Sequence, residues 1–450
     1  MDMDNIHRVY FIGIGGIGMS ALARYFVFMG KAVAGYDRTP SALTRSLSES
    51  GMQIHYQDDI TTVPHPFLEQ GTTLVVYTPA VPSTHGEYQY FLENGFDVKK
   101  RSEVLGIITQ QPFCLAVAGT HGKTTTSAIL AHLLLEAGAP LIAFLGGISE
   151  DFNSNFILKG NEVAVVEADE YDRSFLKLHP NVACITSVDA DHLDIYGDEE
   201  QLNQTFGAFA AKLDAGGTLY VRNGLPFKGL TYGLEDDADF RAEQIKVRDG
   251  AYVFDLVTPK KVLRDVVFKK PGRHNLLNAV VAFAMALEVT QDHGALAAAL
   301  QSFKGVQRRF SYCLNSPDLV FIDDYAHHPA EIAAVHQAIS EMHPGKGTLA
   351  VFQPHLFSRT RDLADDFAAS LSLFDAVLLL EIYPAREAPI EGVDSAWLLD
   401  KIKVADKKKV TKEGLLSEVA NRAPQVLVTM GAGDIGQEAQ KLKQELAYAN

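Results

Sequence analysis

The chain has 450 residues, 47% of them hydrophobic and 21% charged, the balance of a soluble globular protein with mass for two to four domain cores at roughly 100–200 residues each. A formal charge of −16 excludes the basic field of a nucleic-acid binder, and no apolar run is long enough for membrane insertion. Three widely spaced cysteines, Cys114, Cys184 and Cys313, form no C-x-x-C; they read as small buried hydrophobes of a reducing compartment. No basic segment precedes an apolar stretch at the start, so the expected location is the cytoplasm.

Three stretches repeat one grammar of apolar strand, glycine-bearing or polar turn and amphipathic helix. This alternation predicts an α/β fold of three domains with parallel sheets and helices on both faces. The first stretch opens with strand 9–12, a glycine turn and a helix over 20–29, then strands 31–36 and 74–77. The second opens with strand 113–118, a second glycine turn and a helix through Leu135, stopped by Gly138 and Pro140. Strands 163–166 and 182–185 follow, both ending in acidic residues. Short alternating segments over 238–270 suggest a small antiparallel patch, and a helix is expected over 276–289. The third stretch begins near Gly305, with strands at 319–322, 349–352, 376–380 and 426–429 and a last helix from about Gln437. The expected domains are 1–109, 110–304 and 305–450.

Gly13-Ile14-Gly15-Gly16-Ile17-Gly18 satisfies G-x-G-x-x-G between a strand and a helix, and Asp37 ends the next strand. Glycines there let backbone approach a pyrophosphate at a helix N-terminus, so the turn reads as a diphosphate site without identifying the ligand. Gly119-Thr120-His121-Gly122-Lys123-Thr124-Thr125 is the stronger signal. It ends like a P-loop, but Val117 stands where the usual first glycine would fall. Its backbone N–H groups can cradle phosphate, Lys123 can neutralise the β- and γ-phosphates, and the Thr124 hydroxyl can ligate Mg²⁺. This predicts ATP binding despite the acidic chain.

Downstream, Glu167-Ala168-Asp169-Glu170 and Asp189-Ala190-Asp191-His192 end two strands. Magnesium takes few protein oxygens, and a carboxylate at a strand's C-terminal end is where one should lie; Glu167 is the first choice. Asn278, beyond Gly272-Arg273-His274-Asn275, can read adenine or simply face solvent. In the third stretch, Asp323-Asp324-Tyr325-Ala326-His327-His328-Pro329 reads as a substrate loop rather than a zinc site, because adjacent histidines share no helix face. Arg359 and Arg361, after Gln353-Pro354-His355, can hold a carboxylate or phosphate.

Together these motifs resemble the Mur ligases over nearly the whole chain. The resemblance implies a Rossmann-like first domain binding the UDP of UDP-N-acetylmuramate, through Gly13–Gly18, Asp37 and Thr78. It implies a central P-loop ATPase domain binding ATP and Mg²⁺, with Lys123, Glu167 and His192 catalytic and Thr124, Glu167 and His192 at the metal. His274 and Asn278 would meet adenine, and Arg308 and Asp323 would reach ATP from the third domain on closure. The third, Rossmann-like domain would hold L-alanine near Tyr325, His327 and Arg359. The activity implied is ATP-driven joining of L-alanine to the sugar nucleotide's carboxylate in peptidoglycan synthesis, by a monomer or homodimer. No lysine occurs in Gln201-Leu202-Asn203-Gln204-Thr205, where relatives acting later carry a carbamylated one, which fits the alanine-adding branch. Leu356 replaces an arginine common in that branch and leaves Arg359 as the carboxylate anchor. Three alternatives compete: a murein tripeptide recycling ligase using the same UDP-sugar, a nicotinamide-dependent dehydrogenase, and a P-loop switch.

Overall fold

The structure, a computed structural model, describes residues 5–189, 199–385 and 387–448. The described chain forms two compact units. One comprises 1–244, 254–266 and 277–303, the other 245–253, 267–276 and 304–450.

The first sheet joins β1 (Arg8–Ile12), β2 (Ala32–Tyr36), β3 (Gln53–His55), β4 (Thr73–Tyr77) and β5 (Asp97–Lys100), all parallel, in the order β3-β2-β1-β4-β5. Strand order reverses between β1 and β4, so the turn after β1 opens into a crevice where such sheets bind ligands. Both faces are covered, as near-continuous apolar strands require. Phe11 packs under Phe26 of helix Ile17–Phe28, while Tyr10 packs on Phe67 and Phe91. Fully buried Asn155 donates to the Ile17 carbonyl at 2.5 Å and to Ser20 Oγ at 3.0 Å. These bonds pin the start of that helix to the second sheet, whose core is continuous with the first.

The second sheet has ten strands: β6 (Phe113–Ala118), β7 (Leu141–Ser149), β8 (Ser154–Leu158), β9 (Val163–Glu167), β10 (Val182–Ile185), β11 (Thr218–Arg222), β12 (Leu230–Leu234), β13 (Phe240–Arg248), β14 (Ala251–Val257) and β15 (Val262–Phe268), in the order β15-β14-β13-β12-β11-β10-β6-β9-β7-β8. β6 lies between β9 and β10, parallel to both. The Gly119 turn, the acidic run after β9 and the residues after β10 therefore emerge at one sheet edge. Helix Lys123–Glu136 follows the turn with almost every residue buried, so its sequence shows no amphipathic stripe.

The third sheet joins β16 (Ser311–Asn315), β17 (Val320–Asp324), β18 (Thr348–Phe352), β19 (Ala376–Leu379), β20 (Asp406–Lys409) and β21 (Val426–Met430), in the order β16-β17-β21-β18-β19-β20. Only β16 runs antiparallel to its neighbour. Among the described residues no disulfide joins the three cysteines, and Cys114 and Cys184 are buried in strands as expected. Helix ends differ from expectation by a few residues, because capping geometry fixes them more closely than periodicity does: the helix expected over 276–289 is Arg273–Ala286, and the last is Ile435–Tyr448.

Candidate active site

The loop after β6 is a P-loop built on two glycines in left-handed conformations, Gly119 (φ +133°) and Gly122 (φ +83°). A Cβ on Gly119 would lie 2.0 Å from Thr186 Oγ1, and one on Gly122 2.7 Å from Asn278 Oδ1. Only glycine meets both demands. The loop is fastened to the end of β10. Thr120 N–H donates to the Ser187 carbonyl at 3.1 Å, His121 N–H to Ser187 Oγ at 2.9 Å, and Thr120 Oγ1 meets Ser187 Oγ at 2.8 Å. The N–H groups of Gly122, Lys123, Thr124 and Thr125 open helix Lys123–Glu136, where a helix N-terminus favours an anion.

Lys123 curls back over this loop. Its Nζ donates to the Gly119 carbonyl at 2.6 Å and to Glu170 Oε1 at 2.9 Å, with Oε2 at 2.8 Å. Burial works against the ammonium, but Glu170, Glu167 and Asp169 outweigh it and raise its pKa. Burial pushes the Glu170 carboxyl up to about 7, against the pull of Lys123.

The acidic run after β9 gives each carboxylate a different partner. Glu167 Oε2 accepts from Gly146 N–H at 3.0 Å. Asp169 Oδ2 accepts from Arg101 Nη2 at 3.4 Å. Glu170 takes Lys123. Glu167 and Asp169 line a cavity of about 320 Å³, together with Arg101, Gly16, Gly18 and Thr78. The cavity thus joins the first glycine turn to the acidic strand end of the second sheet. His192 lies outside the described residues.

The first turn is more selective than its sequence indicates. Gly13 and Ile14 both donate their N–H to the Tyr36 carbonyl, at 2.8 and 3.0 Å, and the Ile14 side chain is fully buried. Gly15 N–H donates to Asp37 Oδ2 at 2.7 Å. Gly16 N–H donates to the Gly13 carbonyl at 3.3 Å, so the donors at the cavity are the first helical N–H groups, at Ile17 and Gly18. A Cβ on Gly13 would meet Thr78 Cγ2 at 2.8 Å, and one on Gly18 the Arg101 guanidinium at 2.9 Å. Arg101, which lines the cavity, is a residue that the sequence reading missed. It opens helix Arg101–Ile108 and reads locally as an ordinary charged helix start; only the packing of that helix brings it to the turn.

Asn278 approaches the P-loop at Gly122, and His274 lies one turn earlier on the same helix. Burial lowers the His274 pKa to about 4, so its imidazole is neutral near pH 7. In the other unit, Arg308 (φ +61°) pairs through Nε with buried Asp323 at 3.3 Å and lies 5.0 Å from the Tyr325 ring centre. Thr429 Oγ1 donates to Asp323 at 2.8 Å. His327 Nδ1 sits 3.0 Å from the Tyr325 carbonyl, and its ring meets that of His355. His328 caps helix Pro329–Met342. Arg359 sits on the short helix Phe357–Asp362 that begins at Leu356, itself held at φ +72°. Arg361 on that helix is exposed and pairs with Asp362. The structure thus brings Arg308, Asp323, Tyr325 and His327 together.

A sheet bearing a lysine-tipped P-loop, with carboxylates on the adjoining strand and a dinucleotide-like turn across a cavity, defines a nucleotide-dependent α/β enzyme. Three family models match in chain order: the Mur ligase family catalytic domain over residues 8–112, the Mur ligase middle domain over 117–286, and the Mur ligase glutamate ligase domain over 308–447. The chain is similar to the UDP-N-acetylmuramate–L-alanine ligase of Christiangramia forsetii, 58% identical over 448 residues and 99% of each chain. It is also similar to that of Flavobacterium psychrophilum, 57% identical over 446 residues and 99% of each. Among solved structures, the UDP-N-acetylmuramate–alanine ligase of Thermotoga maritima matches with a TM-score of 0.85 at 27% identity, covering 98% of this chain and 100% of that one. A murein peptide ligase from Psychrobacter arcticus shares the fold, with a TM-score of 0.70 at 22% identity over 98% of both chains. The chain belongs to the Mur ligase family of ATP-dependent amide ligases. Among the described residues, no helix is long and apolar enough to cross a membrane.

Proposed function

We propose that this chain joins L-alanine to the carboxylate of UDP-N-acetylmuramate at the expense of ATP, in the synthesis of peptidoglycan precursors in the cytoplasm. The observation that carries this reading is the cavity shared by the Gly16–Gly18 turn and Glu167, in the same compact unit as Lys123. A sugar nucleotide held by its diphosphate at that turn would extend its carboxylate towards the acidic strand end. The alanine-adding relatives, matched over 99% of their length, support the choice of substrate.

A free carboxylate is a poor electrophile, so it must first be activated. Its oxygen attacks the γ-phosphorus of ATP, ADP departs, and an acyl phosphate forms. The amine of L-alanine then attacks the acyl carbon, inorganic phosphate leaves, and the nitrogen loses a proton to a base. Lys123 and the N–H groups of Gly122–Thr125 stabilise charge on the transferring phosphoryl group. The donors present suit Mg²⁺: Glu167 offers a hard carboxylate oxygen on the cavity wall and Thr124 a hydroxyl at the helix start, and such an ion is content with few protein ligands. When bound, the ion supplies charge neutralisation at the phosphates. The family resemblance adds His192 to the ion or as the base, His274 and Asn278 to adenine, Arg308 and Asp323 to ATP, and Tyr325, His327 and Arg359 to alanine. Enclosure of the acyl phosphate limits its hydrolysis.

The test is a co-substrate panel with phosphate release as the readout. Release should require UDP-N-acetylmuramate, ATP and L-alanine together. Release with a murein tripeptide but not with alanine would replace this reading by the recycling ligase. Release with ATP alone would replace it by a P-loop switch, and saturable NADH binding indifferent to UDP-sugar by a dehydrogenase.

A further inference from the structure

Glu170 has no task in the reaction as derived above, yet it is the most deeply placed carboxylate of the site. Its residue is 1% exposed, and both its oxygens lie within 2.9 Å of Lys123 Nζ. The chain around it is held in an uncommon course. Asp172 and Arg173 follow with φ of +54° and +53°, and Phe175 N–H closes the turn on the Asp169 carbonyl at 3.0 Å. Consecutive left-handed non-glycine residues are costly and persist only where the surroundings fix them. The carboxylates beside Glu170 are occupied elsewhere, Glu167 with Gly146 and Asp169 with Arg101. The Lys123 ammonium is thus bound to the one acid of the run that is sealed from water.

We propose that Glu170 is a positioning residue that stands in for nucleotide phosphate: its carboxylate holds the Lys123 ammonium over the loop, and the phosphates of ATP must take the ammonium from it. This rests on the reading of Lys123 as the phosphate-binding lysine. Two consequences follow from charge and burial. Before nucleotide binds, the lysine is kept in the loop instead of ranging through its rotamers. When nucleotide binds, a buried ion pair is broken and Glu170 is left without its cation beside an incoming polyanion, which is unfavourable. Glu170 therefore weakens nucleotide binding, and its return to Lys123 favours release of ADP.

The experiment is a double-mutant cycle on the full chain, reading ATP affinity by calorimetry with Mg²⁺ present and the other substrates absent. Lys123→Ala should weaken ATP severalfold or more; unchanged affinity would overturn the parent reading of Lys123 and, with it, this proposal. Glu170→Gln in the wild-type background should tighten ATP roughly tenfold, and should lower the inhibition constant of ADP in parallel. The same change in the Lys123→Ala background should give clearly less tightening. If Lys123→Ala weakens ATP while Glu170→Gln leaves it unchanged or weakens it, Lys123 keeps its role and the stand-in role of Glu170 is overturned. Equal tightening in both backgrounds overturns it too, since the effect would then not pass through the lysine. Glu170→Asp withdraws the carboxylate by one methylene and should tighten ATP by less than Glu170→Gln does. It carries the same test should Glu170→Gln fail to fold, as judged by thermal melting.

Discussion

The two glycine turns of the first compact unit share a plan and differ in how they treat charge. Each follows a buried parallel strand and opens a helix. In the first, the carboxylate of Asp37 takes the Gly15 N–H, and a cation, Arg101, is brought to Gly18 from a helix distant in sequence. In the second, the loop carries its own cation, Lys123, and the carboxylate of Glu170 holds that cation. The first arrangement suits a ligand that must be held without chemistry at its phosphates. Under the proposed function, the second brings the Lys123 ammonium to phosphates that will be transferred. Under the proposed function, similar backbone grammar serves binding in one place and catalysis in the other; Asp37 and Lys123 belong to the local patterns, while Arg101 and the Glu170 pairing are supplied by packing.

The sharpest way to break this contrast is Gly119→Ala. The new methyl would be driven into Thr186 Oγ1, at a φ of +133° that alanine strongly resists. Turnover should fall by about a hundredfold or more, because misplacing phosphate-binding N–H groups by even ~1 Å is costly. UDP-sugar affinity, measured by calorimetry, should stay within about twofold, since distant and independent sites add. If a folded variant lost UDP-sugar binding as severely as turnover, the two turns would not divide the work.

Gly15→Ala is the counterpart in the first turn, with a smaller expected effect. Its methyl would lie 2.8 Å from Asp37 Oδ2 and 2.7 Å from Thr44 Cγ2, both side-chain atoms with some room to shift. The Gly15–Asp37 bond should loosen and UDP-sugar affinity drop by roughly tenfold, the scale of one charge-assisted hydrogen bond. ATP affinity should not move. A loss of ATP affinity with UDP-sugar binding intact would reverse the assignment of the two turns.

Much of this contrast was legible in the sequence, and the illegible part has a common cause. The strand–turn–helix grammar, the P-loop and the acidic run after β9 are local patterns, and the described structure carries all of them. The split of that run between Gly146, Arg101 and Lys123 could not be read, because Gly146 and Arg101 lie on elements brought up only by packing. The occupancy of the Gly13 and Ile14 N–H groups by Tyr36 depends on the pairing of β1 with β2. The left-handed residues Asp172, Arg173, Arg308 and Leu356 carry no local glycine signal, since tertiary contacts fix them. The same holds for a second buried acid in the first domain, Glu87, whose partners come from separate strands.

Glu87 extends the comparison to the protein core. Like Glu170 it is buried and its carboxyl is pushed up to about 7, mainly by desolvation. Its close neighbours are not permanent cations. Tyr10 donates to it at 2.6 Å, and His55 Nε2 lies 3.4 Å away. Burial lowers the pKa of His55, keeping that ring neutral near pH 7. A carboxyl whose pKa is raised on folding holds its proton more tightly in the folded state. Its contribution to stability is complete below the unfolded value of 4.5 and is lost as pH rises through about 7. Glu87→Gln keeps the shape and the acceptor for Tyr10 but has no proton to lose. Its melting temperature should match the wild type near pH 5 and exceed it by roughly 2–4 °C near pH 8, with ATP turnover little changed, because the substitution leaves in place the His55 carbonyl that accepts from Asp37 N–H beside the first turn. A melting difference of the same size at both pH values would mean that Glu87 is held ionised by its neighbours. The two buried acids would then be alike in charge as well as in burial, and the distinction between a cation-paired acid at the loop and a proton-bearing acid in the core would not stand.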